Sequence, residues 1–125
     1  LIDELKMVEG QEPYRNARDK KYLAVYEGQP YMLDEFGGIG WMAAKDRNNS
    51  WGYGGMPADE EAFYERLEGQ IDALIASKHV CGFCYTQLTD VEQEKNGVYY
   101  YDRRPKMDMK RIKAIFEKIP SRPAK

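Results

Sequence analysis

The chain has 125 residues and a formal charge of −2, enough for one modest domain with a single core. That charge gives no reason to propose nucleic acid or an anionic membrane as a partner, and the basic residues are scattered apart from Arg103–Arg104–Pro105–Lys106. No apolar run is long enough to span a membrane.

In chain order, residues 1–10, LIDELKMVEG, read as the end of an amphipathic helix and not as a signal peptide. The missing initiating Met fits a piece cut from something larger. Residues 11–29 are polar and irregular, and Lys21–Tyr26 suits either a short helix or an extended piece. Pro30–Phe36 reads as the first strand. The stretch Gly37–Met56 is rich in Gly, Asn and aromatics and is long for a connection, which points to a binding loop. A helix then opens at Pro57, with Asp59, Glu60 and Glu61 suited to the positive end of its dipole. Phe63, Leu67, Ile71, Leu74 and Ile75 form its apolar stripe. His79–Tyr85 is a nearly continuous apolar run, as expected of a strand buried on both faces of a parallel sheet. A polar excursion, TQLTDVEQEKNG, leads to VYYY and a turn at Asp102–Lys106. The last helix carries Ile112, Ile115, Phe116 and Ile119 on one side and ends before Pro120 and Pro123.

The two cysteines, Cys81 and Cys84, form a C-x-x-C inside the second strand. Residues three apart on a strand face opposite ways, roughly 10 Å apart, too far for a disulfide. His79 is the sole histidine, so a zinc site lacks ligands. Two buried thiols in a reducing compartment is the expectation, and no targeting segment is visible. The order strand, loop, helix, strand, loop, helix is an α/β pattern with parallel strands joined by a right-handed crossover. Two strands are too few for an ordinary α/β domain.

The segment YMLDEFGGIGW, residues 31–41, poses the functional question: an apolar strand delivers Glu35 to its end and meets Gly37, Gly38 and Gly40. One reading is a strand running into a turn with Glu35 in water. The other is a catalytic carboxylate at a strand tip, with glycines making room for a ligand. The aromatic content, ten Tyr with Trp41 and Trp51, suits either sugar stacking or ordinary packing.

DEFGG followed by a Trp, a helix, and then CGFCYTQLTDVEQEKNGVYYYDRRPK resembles the C-terminal end of the catalytic domain of glycoside hydrolase family 2, which holds β-galactosidases, β-mannosidases and β-glucuronidases. The resemblance covers roughly residues 28–119, within a chain read as one fragment, 1–125. It implies a partial (β/α)8 TIM barrel, namely the last two βα units, with Pro30–Phe36 as strand 7 and Val80–Tyr85 as strand 8. It implies that Glu35 is the nucleophile of a retaining glycosidase, the glycines keeping bulk away from it. The family's acid/base stands in an Asn-Glu pair, and no such pair occurs here. A whole barrel takes about 250 residues, so that group is expected upstream.

The resemblance also implies a carbohydrate substrate. Tyr85 matches a position where relatives often place a Trp under the sugar. Gln87, Asp90 and Glu92 follow on the loop and are candidates for sugar hydroxyls, against the reading of a solvated loop. Trp41 and Trp51 are candidates for lining the subsites. Where β-glucuronidases carry an Asn-x-Lys pair for the sugar carboxylate, this chain has Glu94 and Asn96, which disfavours an anionic sugar. A neutral sugar follows, a β-galactoside first by family frequency. No cofactor or metal is implied. The alternative is a non-catalytic carbohydrate-binding or interaction module using Trp41, Trp51, Tyr53 and Tyr85 as platforms. Strands lacking their barrel neighbours leave open edges, so the isolated piece is expected to self-associate.

Overall fold

The computed structural model describes Gly10 and residues 25–42 and 55–118. Expectations for the opening helix, for the start of Lys21–Tyr26, for Trp51 and Tyr53 and for Ile119 lie outside the described residues. The described elements run in the expected order: β1, Tyr31–Gly37; α1, Glu60–Ala76; β2, Val80–Thr86; α2, Met109–Phe116.

α1 begins where its cap dictates. Asp59 sits in extended geometry, and its Oδ1 accepts from the Ala62 N–H at 2.8 Å, satisfying a donor that the first turn leaves unpaired. Pro57 therefore precedes the cap, where the sequence reading had put it at the first helical position. Glu60 and Glu61 occupy the first turn. At the other end, Ser77 Oγ accepts from the His79 and Val80 N–H groups, turning the chain directly into β2. Phe63, Leu67, Ile71 and Leu74 bury the expected stripe, joined by Tyr64. α2 is capped by Asp108, whose Oδ1 accepts from the Lys110 N–H at 2.9 Å, and it buries Ile112 and Ile115. The helices are tied at their surface by Arg111 to Glu61 and by Lys118 to Glu68 and Asp72. The Asp108 N–H donates to the Tyr64 hydroxyl at 3.0 Å, and Arg111 lies over the Tyr64 ring.

β1 and β2 pair in parallel, from Tyr31 opposite Val80 to Gly37 opposite Thr86. The register slips twice. Between Tyr31 and Met32 the extra residue is on β2, at Cys81; between Leu33 and Phe36 it is on β1, at Asp34–Glu35. Tyr31, Leu33 and Phe36 from β1, with Phe83 and Tyr85 from β2, pack onto a buried core of Ile39, Phe63, Leu67, Ile71, Ile112 and others. On the opposite face Met32 and Cys84 are exposed.

Two expectations are corrected here. Strands read as buried on both faces are covered on one, because among the described residues the helices pack on one side only. The thiols read as buried are both exposed: Cys84 lies on the uncovered face, and Cys81 is the extra residue of the β2 irregularity. No described helix is long and apolar enough to cross a membrane.

Leu67 is fully buried at the centre of the α1 stripe. Leu67→Ala is expected to lower unfolding free energy by about 2–5 kcal/mol through lost transfer energy and a residual cavity. Urea denaturation followed by circular dichroism measures it.

Candidate functional site

Glu35 stands two residues before the end of β1, in the stretch where β1 carries one residue more than its partner. Such irregularities re-aim side chains, and they are enriched beside active sites. Glu35 is exposed and borders a hollow of about 290 Å³ shared with Phe36, Gly37, Gly38 and Thr86. The Gly38 N–H donates to the Thr86 carbonyl at 2.7 Å, so the two strand ends are tied just past the hollow. On its other side Glu35 borders an open groove of about 890 Å³ between β1 and α1, lined by Leu33, Phe36, Gln70 and Leu74 among others.

The glycines do two different jobs. Gly37 has φ +100°, and a Cβ there would run into the Tyr85 ring. Its missing side chain makes room for Tyr85, and Gly37 also borders the hollow beside Glu35. Gly38, at φ +63°, is buried and lines the hollow.

Tyr85 is placed away from the role assigned to it. Its ring meets Phe36 and Phe116 edge-on, with centroids 5.5 and 5.4 Å away, on the face covered by the helices. Burial pushes its phenol far above the ordinary value, and its hydroxyl has no hydrogen-bond partner. Trp41 is likewise internal: 7% exposed, with its ring against Phe63 at 6.2 Å. Apolar packing engages both aromatics, burying Trp41 and partly burying Tyr85.

The loop after β2 is organised by one cation. Lys106 is buried, and its Nζ donates to Asp90 Oδ1 at 2.5 Å, the Trp41 carbonyl at 2.9 Å and the Lys95 carbonyl at 3.2 Å. The Tyr100 ring lies 5.5 Å from it. Burial pulls the Lys106 ammonium below the ordinary lysine value, and the Asp90 hydrogen bond opposes that shift. Asp90 Oδ1 also accepts from the Gly97 N–H at 3.1 Å. A Cβ on Gly97 would collide with the Thr89–Asp90 backbone, so only glycine allows that approach. Asp90, expected to offer hydrogen bonds to sugar, is instead 1% exposed with its carboxylate committed inside the protein.

Glu92 sits at φ +49° in the exposed turn closed by reciprocal Val91–Glu94 backbone bonds. Gln87 is half-buried immediately after β2, and its Nε2 donates to Asn96 Oδ1 at 2.6 Å. Asn96 Nδ2 donates to Glu94 Oε1 at 3.0 Å. The structure thus gathers Glu35 and Thr86 at the ends of the strands, with Gln87 next along the chain. Of the predicted contacts, Trp41 and Asp90 are buried, Tyr85 is partly buried in packing against the core, and Glu92 is at a turn tip.

Lys106 was missed as an organising residue. Its charge read as part of a short basic patch, and the available signal was its place between Pro105 and the buried Met107. Among the described residues no group of three or more His, Cys, Asp or Glu side chains could hold a metal ion. No protein-family model matches this chain, and no curated protein sequence matches it.

Lys106→Ala leaves the Asp90 carboxylate buried without its cation. Breaking a buried pair in this way is expected to cost about 3–5 kcal/mol. Replacing both partners together, Asp90→Leu with Lys106→Met, is expected to cost less than the two single losses added. A double-mutant cycle by chemical denaturation checks the sign of that coupling.

Proposed function

We propose that this chain is the C-terminal part of a retaining β-glycosidase for neutral sugars, β-galactosides first, and that Glu35 is its nucleophile. The observation that carries the reading is the carboxylate itself: Glu35 stands in a register irregularity near the C-terminal end of a parallel strand, beside a hollow lined by two glycines and Thr86. The family resemblance assigns the nucleophile to this residue, and barrel enzymes keep their chemistry at that end of the strands.

In this reading the Glu35 carboxylate attacks the anomeric carbon as the bond to the leaving oxygen breaks. A carboxylic acid supplied by an upstream region protonates that oxygen. Water, deprotonated by the same upstream group, then displaces Glu35 from the glycosyl ester and restores the free carboxylate. The two carboxyl groups need a separation of about 5–5.5 Å for this stereochemistry. The non-catalytic module is the weaker alternative. Of its four aromatic platforms, Trp41 and Tyr85 are used in packing, and Trp51 and Tyr53 lie outside the described residues.

In the full-length enzyme, Glu35→Ala is expected to abolish most turnover while leaving the fold intact, because the covalent intermediate cannot form. Added azide is expected to restore part of the rate and yield the glycosyl azide of inverted configuration. Near-normal hydrolysis of a nitrophenyl β-galactoside by the variant would refute the assignment.

The isolated chain is expected to show no glycosidase activity above background, since it lacks the acid/base. The sheet face on which Met32 and Cys84 are exposed is expected to drive self-association. Sedimentation velocity at several concentrations checks this, and a monomer that resists concentration would count against it.

A further inference from the structure

The open groove between β1 and α1 has Leu33 and Phe36 on its β1 side. Along α1 it is edged by Gly69, Ala73 and Ala76. These three recur at i, i+4 and i+7, so they share one face of the helix, and all are exposed. Glycine weakens a helix interior, yet nothing lies within 4 Å of the Cβ that Gly69 lacks, so no described neighbour needs its small size. Gln70, beside them, buries its Oε1 without a hydrogen-bond donor, a state that is rare in folded proteins. The groove has a direction. Val80 stands opposite Tyr31, so Lys78 and His79 close it at the end where β1 begins, and Glu35 borders it toward the other end.

The same end of the groove is where the N-terminal segment stops. Gly10 has φ +78°, the left-handed backbone at which helices commonly end. Its N–H donates to the Tyr26 carbonyl at 2.7 Å. Tyr26 is five residues before β1, and the Gln29 side chain, bonded to Val25 and Glu27, folds that approach into a turn. Gly10 is thus tied to the entry of β1. Residues 1–9 lie outside the described residues, but in their sequence Leu1, Leu5 and Val8 recur at i, i+4 and i+7. That is the spacing of Gly69, Ala73 and Ala76.

We propose that residues 1–9 seat in this groove as a helix parallel to α1, with Leu1 over Gly69, Leu5 over Ala73 and Val8 over Ala76. Large side chains meet small ones at each level, which lets the two helices approach closely. Nine helical residues rise about 13.5 Å, enough to cover the roughly 10.5 Å from Gly69 to Ala76. Glu9 and the negative end of the helix then face Lys78 and His79. A helix this short is marginal in water by itself, so the groove is what stabilises it. The inference does not depend on the glycosidase reading.

The test uses the full chain with Cys81→Ser and Cys84→Ser, which remove the two exposed thiols, and Ala73→Cys as the reporter. The introduced thiol is expected to react with iodoacetamide at least about tenfold more slowly than in the urea-unfolded chain, at a rate independent of protein concentration. Leu5→Asp is expected to raise that rate roughly 5-fold or more, by undocking the segment. Met7→Asp, on the far side of the segment by its spacing, is expected to leave the rate unchanged. In the same background, Val8→Cys with Ala76→Cys is expected to close an intramolecular disulfide under mild oxidation, while Leu1→Cys with Ala76→Cys is not. This pair needs no disruptive change, so it decides should Leu5→Asp unfold the chain.

Fast labelling of the reporter in the parent chain would overturn the proposal, since an open groove gives that result. Protection that grows with concentration would assign the groove to a second copy. Protection indifferent to Leu5→Asp would assign it to another segment of the chain. Equal cross-linking of the two cysteine pairs, or cross-links between copies only, would overturn the parallel seat.

Discussion

A single buried ammonium decides how the polar half of this chain is arranged. The run from Gln87 to Asp108 contains no helix or extended strand pair, yet much of it is internal: Asp90, Asn96, Gly97, Val98 and Met107 are buried. Irregular backbone inside a protein must find partners for its amides and carbonyls, because each orphan costs about as much as a lost hydrogen bond. Lys106 answers that demand at one point. It satisfies the Trp41 and Lys95 carbonyls and neutralises Asp90, which in turn holds the Gly97 N–H. Removing two charges from water is expensive, so the pair is poor evidence of net stability. Its effect is positional. The Trp41 N–H also donates to the Lys95 carbonyl at 2.9 Å, so the segment leaving β1 and the loop leaving β2 are locked together beside the strand ends.

The same locking explains where the aromatics went. Trp41 can be drawn onto Phe63 because its backbone is fixed at both N–H and carbonyl. Tyr85 can lie against Phe36 and Phe116 because Gly37 has no side chain to block it. The extra residue at Asp34–Glu35 lets Leu33 and Phe36, three apart, both serve the helix-covered face. Core packing on either side of the carboxylates thus leaves Glu35 exposed in the one irregular stretch of β1.

Legibility from sequence followed the strength of local patterns. The order of elements and the parallel pairing could be read because α1 and α2 carry strong apolar periodicity and the strands are short apolar runs. The start of α1 was misread by three residues because Pro57 fits a first turn, and only the Asp59 cap geometry decides between them. The burial of Cys81 and Cys84 was misread because continuous apolarity does not tell a strand covered on two faces from one covered on one. Long-range contacts were the least legible. That Gly37 exists for Tyr85, or that Lys106 reaches Trp41 across 65 positions, is a fact of tertiary packing that no local period encodes.

The redistribution of side chains changes what kind of recognition this end of the sheet can support. Stacking platforms tolerate many sugars, because each ring has an apolar face to offer. With Trp41 buried and Tyr85 engaged in packing, the polar groups the hollow at the strand ends presents are Glu35 and Thr86. An apolar pocket discriminates poorly against a missing or added group, while a site built around hydrogen bonds rejects an analogue that leaves its polar atoms unpaired. If this part of the chain touches a substrate, it therefore reads the pattern and polarity of hydroxyls more than the shape of a ring.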